Sequence, residues 1–147
     1  MNEIIALFNG NIAKKDVDSA VKIMKKNKDL KIFPVIETGY EVTLVDSGVG
    51  AADSTGLRYS NTPAEEIPGR IVFVMTVLGR DNASKANTYD RLREIVEHQS
   101  YVYKWEFFIL TDEPFNAQTL SIPEANTITI SDGEIIPAIE ELMERLS

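Results

Sequence analysis

The chain has 147 residues, with 15 Lys plus Arg against 23 Asp plus Glu and a formal charge of −8. That length and a hydrophobic share of 44% fit one globular domain and exclude general disorder. A pI of about 4.7 argues against non-specific nucleic-acid binding, zero cysteines exclude disulfides and thiol chemistry, and the single histidine, His98, leaves little for a zinc site or a triad.

Residues 3–8 form a short apolar run stopped by Asn9-Gly10-Asn11, which predicts a buried strand entering a tight turn. Residues 16–28 carry Val17, Ala20, Val21 and Met24 at helical spacing, with an acid at the start and lysines at the end, as the helix dipole favours. Residues 31–36 and 40–45 read as two strands joined by Glu37-Thr38-Gly39, a link too short for a crossover helix, so an antiparallel pair is expected. Pro34 must then occupy a strand position where no N–H is needed. From Ser47 to Arg70 glycines and prolines punctuate the chain, and only a short helix around 51–59 is expected.

Residues 71–78 are apolar apart from Thr76, the mark of a central strand covered on both faces. A polar loop over 79–87 leads to a helix through Gln99, followed by a buried strand at 105–110. A last short strand at 127–130 and a helix carrying Ile135, Ala138, Ile139, Leu142, Met143 and Leu146 on one side complete the pattern. Ser131 and Glu134 have capping-box spacing, but Pro137 places the helix start nearer Gly133. Strand–helix alternation implies an open α/β sheet with helices on both faces.

Element order with its hairpin, together with Asn61-Thr62-Pro63-Ala64-Glu65-Glu66-Ile67-Pro68-Gly69, Asn82-Ala83-Ser84-Lys85 and Lys104-Trp105-Glu106-Phe107, resembles the von Willebrand factor A domains of bacterial and phage proteins. Those domains show an NTP-E-E-P-like linker and a "TDG…NAS" strand end. The resemblance implies a Rossmann-like three-layer sandwich with a mostly parallel six-stranded sheet of order 3-2-1-4-5-6, strand 3 being antiparallel at the edge. It also implies a metal-ion-dependent adhesion site, built on Asp-x-Ser-x-Ser after the first strand and a later Thr and Asp. Here the first turn reads Asn9-Gly10-Asn11 and the later strand end reads Thr76-Val77-Leu78-Gly79, without those acids. A degenerate domain with its metal site dismantled is therefore expected, leaving Asp46, Asp53 and Asp81 as weak candidate ligands for a hard cation.

A non-catalytic module that recognises a protein partner, of phage or prophage context as the resemblance suggests, is the leading expectation. The alternative is a small-ligand or nucleotide-binding protein using Asn9, Gly10, Asn11, Asp81 and Asn82 at the C-terminal ends of the strands. Asn9-Gly10-Asn11 lacks the lysine or third glycine of phosphate-binding loops, and an ordinary tight turn is favoured there. Asn82-Ala83-Ser84 spells a sequon but is expected to help cap the next helix. Period-two aromatics Tyr101, Tyr103, Trp105 and Phe107 are expected to form one face of a core.

If the irregular 47–70 segment leaves the sheet face bearing Phe33, Val35, Val42 and Leu44 open, a second copy or another protein would cover it, with Leu57 and Tyr59 near the rim. No enzymatic activity, cofactor, nucleic acid or membrane contact is expected. The lack of a signal peptide or an apolar run of ~20 residues leads to an expected cytoplasmic location.

Overall fold

The computed structural model describes residues 2–147. Strands β1 (Asn2–Gly10), β2 (Leu30–Thr38), β3 (Arg70–Leu78), β4 (Glu106–Thr111) and β5 (Thr127–Thr129) alternate with helices α1 (Lys14–Lys25), α2 (Leu44–Ser60), α3 (Tyr89–Val102), α4 (Pro114–Thr119) and α5 (Ile135–Leu146). Every strand pairing is parallel, in the order β2-β1-β3-β4-β5. This is the flavodoxin-like form of the doubly wound α/β fold. No helix among the described residues is long and apolar enough to cross a membrane.

Strand alternation divides the core into two layers. Ile4, Ala6, Phe8, Val72, Val74, Phe108 and Leu110 pack with α1 and α5 on one side. Ile5, Leu7, Phe73, Met75, Phe107 and Ile109 pack with α2 and α3 on the other, joined by Ala117 of α4. Both faces of β1 and β3 are thus covered, which explains why these strands read as nearly continuous apolar runs.

One buried side chain fits this layering poorly. Thr76 lies between Phe8 and Leu110 in register, and its hydroxyl is buried without a hydrogen-bond partner. Replacing the hydroxyl by a methyl group removes an unpaired polar atom at nearly constant volume. Thr76→Val is therefore expected to stabilise the fold by about 1 kcal/mol, read as a higher urea midpoint.

The expected six-stranded sheet with an antiparallel edge is corrected to five parallel strands. Residues 40–45 are not a strand: they are a connection that runs into α2 at Leu44. Their backbone donors are taken by side chains from other elements, Thr43 by Asn9 and Val42 by Asn82. The short helix expected at 51–59 is a helix of 17 residues. Its glycines misled because they look like punctuation, yet Gly48 is where α2 approaches α3, a Cβ there falling 2.9 Å from Leu92 Cδ2. The sheet face that motivated a covering second copy is largely covered: α2 packs over it on the β1 side, with Leu44, Val45, Val49 and Ala52 buried in the core layer, while Phe33 and Val35 on β2 stay half-buried beside a cavity.

β2 is the outer strand beside β1, and its free edge is blunted. Asn2 N–H bonds Asp29 O and Gly39 N–H bonds Gly10 O, so odd-numbered residues of this strand turn their amides toward β1. Pro34, an even-numbered residue, thus places its missing donor on the open edge, as its lack of an N–H requires, and interrupts the row of donors that another strand would use. Ser131 and Glu134 close a turn, Glu134 N–H bonding Ser131 O at 3.0 Å, with Asp132 and Gly133 at positive φ. They are not a capping box, and α5 starts at Ile135.

Candidate functional site

In this strand order a ligand crevice is expected at the C-terminal ends of β1 and β3, where the following connections leave on opposite faces. Asn9 sits there and is 0% exposed. Its Nδ2 donates toward Glu37 O at 3.1 Å, Thr43 Oγ1 at 2.9 Å and Ser47 Oγ at 3.4 Å, while Oδ1 accepts from Thr43 N–H at 2.9 Å. Ser47 Oγ donates in turn to the Glu37 carboxylate at 2.8 Å. Three oxygens thus converge on an amide nitrogen, which sits among them much as a cation would. Gly10 follows at φ +97°, and a Cβ there would lie 2.5 Å from Leu78 O, so only glycine lets β1 and β3 run this close at their ends. Asn11 is exposed beyond the turn.

Asp81 and Asn82 meet the same region from the loop after β3. Asp81 Oδ2 accepts from Val45 N–H at 2.8 Å, its Oδ1 accepts from Ala83 and Ser84 N–H, and Ser84 Oγ takes Asp46 N–H at 2.9 Å. A carboxylate and a hydroxyl from a distant loop therefore cap the first turn of α2, where the helix dipole favours negative charge. Asn82 Oδ1 accepts from Val42 N–H at 2.9 Å. The Asn82-Ala83-Ser84 loop thus caps the preceding helix; α3 has its own cap in Thr88, which accepts from Arg91 N–H.

Asp46 returns the bond, accepting from the Lys85, Ala86 and Asn87 amides at 2.7, 3.2 and 2.8 Å. The Lys85 amide, ahead of the other donors, holds the Asp46 carboxyl below the usual carboxylate value. A depressed folded-state pKa adds stability above the unfolded value of about 3.9, and that stability is lost as pH falls through the folded value. Asp46→Asn should accordingly lower stability at pH 7 and flatten the decline below about pH 4, measured as melting temperature against pH.

Asn116 and Tyr89 complete this edge, neither of them a candidate site residue from the sequence. Asn116 is fully buried, donating to Gly79 O at 2.9 Å and Thr111 Oγ1 at 3.2 Å and accepting from Tyr89 OH at 3.0 Å. Tyr89 OH also accepts from Asp81 N–H, and burial lifts this phenol above its ordinary pKa. Arg80 pairs with Glu113 at 3.2 Å and lies 4.3 Å from the Phe115 ring centroid, an exposed clamp that holds Glu113 below its usual value.

The residues present do not fit a divalent ion. Asp46 and Asp81 cap different backbone segments, Asp53 is exposed on α2, and no group of three or more His, Asp or Glu able to hold a metal occurs among the described residues.

At the opposite end of the sheet a cavity of about 470 Å³ opens between the last turn of α2, the end of α3 and the starts of β3 and β4. Tyr59, Ile67, His98, Tyr103, Lys104 and Trp105 line it. Leu57 is 65% exposed beside lining Gly56, whereas Tyr59 is 8% exposed and forms a wall rather than a rim. Tyr59 is fixed by its hydroxyl on the buried Glu3 carboxylate, which Arg58 also grips at 3.1 and 3.3 Å. His98 sets Nδ1 2.8 Å from Gln99 Oε1 and its ring edge-on to Tyr103.

The alternating aromatics part company here. Trp105 and Phe107 are buried, Trp105 stacked with Phe73 at 6.5 Å, but Tyr101 and Tyr103 are 80% and 61% exposed. The helical run ends at Val102 and the chain reverses at Lys104, so period two begins only after that turn.

No family model and no curated protein matches this chain.

Proposed function

We propose that this chain is a non-catalytic binding module that recognises a protein partner through the end of the molecule where α2 and α3 finish. The observation that carries the reading is the unequal use of the two sheet ends. At the C-terminal end, Asn9, Asp46, Asp81 and Asn82 are engaged with the protein's own backbone and hydroxyls. At the other, Ile67 and Tyr103 line an open cavity, with Leu57 beside lining Gly56 and Tyr101 and Val102 immediately before Tyr103, all five exposed. Aromatic and aliphatic side chains set around a cavity are the usual anchors of protein recognition.

The reading includes descent from an A-type domain. Deleting the antiparallel edge strand from 3-2-1-4-5-6 leaves 2-1-4-5-6, which renumbered is 2-1-3-4-5, the order of this sheet. On that view the Asn9 amide holds together oxygens that an ion would otherwise gather, and the edge has become structural. The phage or prophage context belongs to the same resemblance.

A photo-crosslinking amino acid at the position of Leu57 or Tyr101, in the producing cell, tests this. Both positions are expected to trap the same protein, and the position of Asn11, at the other end, is expected not to. Trapping of a protein from the Asn11 position alone would overturn this placement and return protein recognition to the C-terminal edge.

A further inference from the structure

The cavity beside Trp105 has a charge character opposite to that of the protein. The chain carries −8, yet no Asp or Glu lines the cavity, and Lys104 and His98 do. The acids on the adjoining strands are paired, Glu3 with Arg58 at 3.1 Å and Glu106 with Arg70 at 2.6 Å, and the exposed Glu65 and Glu66, just ahead of Ile67, stand outside the lining. Lys104 has no carboxylate partner among the described residues; its ammonium stands 5.3 Å from the Tyr101 ring centroid. The Trp105 indole N–H makes no hydrogen bond to another described residue and is open to solvent, since Thr76 alone holds a buried side-chain polar atom without a partner among the described residues.

A second observation, from the backbone, concerns the same lysine. α3 ends with Trp105 N–H bonded to Gln99 O, and the chain turns through Lys104 at φ +59°. This is the left-handed position that closes a helix of this kind, where glycine or asparagine is the low-energy choice and other side chains are strained. A lysine held there against backbone preference places its charge at the cavity mouth, and such an outlier is grounds for a functional inference.

From these observations we infer that the cavity receives a short acidic segment of the protein partner. A large apolar side chain enters between Tyr59, Ile67 and Trp105, and a neighbouring carboxylate is held by the Lys104 ammonium and the Trp105 N–H. This inference rests on the proposed function and names the chemistry of its partner. The lining supplies both halves of such recognition, aromatic walls for the apolar anchor and unpaired donors for the anion.

Trp105 is the only tryptophan of the chain, so its fluorescence reports occupancy directly. The full chain is titrated with a blocked peptide bearing one phenylalanine between glutamates. Parallel arms use the same peptide with lysines for glutamates, the same peptide with alanine for phenylalanine, and free 3-phenylpropanoate. A saturable change with the acidic phenylalanine peptide is expected, weakened about tenfold by either peptide replacement, since one charge-assisted contact or one buried ring is worth roughly that factor.

Lys104→Gly is expected to weaken binding about tenfold while raising the melting temperature, because it removes the charge and the backbone strain together. Lys104→Asn, also uncharged and tolerant of this conformation, is expected to weaken binding by the same factor, whereas Lys104→Arg keeps both the charge and the strain and is expected to keep the binding. A thermal melt of each variant establishes that it is folded. Equal binding of the lysine peptide, or unchanged binding by Lys104→Gly, overturns the inference. Binding of 3-phenylpropanoate as tight as that of the peptide overturns the partner form in favour of a small carboxylate. If Trp105 responds to no peptide while crosslinking from Leu57 and Tyr101 persists, the acidic occupant is refuted and the recognition surface stands; loss of that crosslinking refutes the surface itself.

Discussion

Asn9→Asp is expected to cost about 3–5 kcal/mol of folding stability, the range for a buried charge left without its partner. The substitution exchanges the nitrogen on which Glu37 O, Thr43 Oγ1 and Ser47 Oγ converge for an oxygen, and the Glu37 carboxylate that Ser47 bonds lies close by. The Thr43 N–H bond to the other oxygen is kept, and the Thr43 hydroxyl can donate to the new oxygen only by turning from Ser47, while Glu37 O has no hydrogen to offer. Urea denaturation reads the loss as a lower midpoint at an unchanged slope. Asn9→Ala, which removes the amide's bonds but adds no charge and leaves Thr43 Oγ1 bonded to Ser47 Oγ at 2.9 Å, should cost less, about 1–3 kcal/mol. Millimolar magnesium should leave the melting temperature of the native chain where it is, since only a ligand that prefers the folded state raises it. A fully stable Asn9→Asp protein would mean that the connection from β2 to α2 is held by something other than this amide.

Glu3→Leu is expected to cost about 2–4 kcal/mol. Glu3 is 4% exposed at the start of β1 and accepts from the Tyr59 hydroxyl and from both terminal nitrogens of Arg58. Burial, then the bond to Glu3, keeps the Tyr59 phenol protonated well above its usual range. Without Glu3, Tyr59 loses its acceptor in the core. Arg58, its side chain 35% exposed and its guanidinium 4.0 Å from the Phe33 ring centroid, recovers part of its solvation from water. The double variant Glu3→Leu with Arg58→Leu should therefore regain part of the loss, and a double-mutant cycle in urea measures the coupling. Additive losses would show that the pair acts independently.

How much of this was legible in the sequence depends on where each segment finds its partners. The strands at 2–10 and 70–78 and helices α1, α3 and α5 satisfy their backbone locally or with regular neighbours, so periodicity alone finds them. Residues 40–45 alternate like a strand, but their amides are claimed by Asn9 and Asn82, both more than 30 residues away in sequence. No local pattern encodes that. The glycines of α2 read as breaks, yet Gly48 serves close packing on Leu92 of a later helix, while Gly50 and Gly56 have open space at the Cβ position.

The candidate site was legible in composition more than in role. Asn9, Asp81 and Asn82 do gather at one end of the sheet, but their atoms face the chain's own donors and acceptors. Leu57 is exposed, as a contact residue requires, whereas Tyr59 lies inward on Glu3. The cavity was hidden in the run Tyr101, Tyr103, Trp105, Phe107, because its first two members precede the left-handed turn at Lys104 and its last two follow it. Of its lining the sequence singles out only Tyr59 as a partner contact, and Lys104 alternates with the aromatics just as Val102 and Glu106 do.

Hydrogen–deuterium exchange on the isolated partner complex tests the central claim most directly, because it compares the two sheet ends in one measurement. Slowed exchange is predicted over 56–69 and 98–105, with the amides of 9–11 and 79–87 exchanging as in the free protein. Protection of 9–11 and 79–87, with 98–105 unaffected, would contradict the account and place recognition at the C-terminal edge of the sheet.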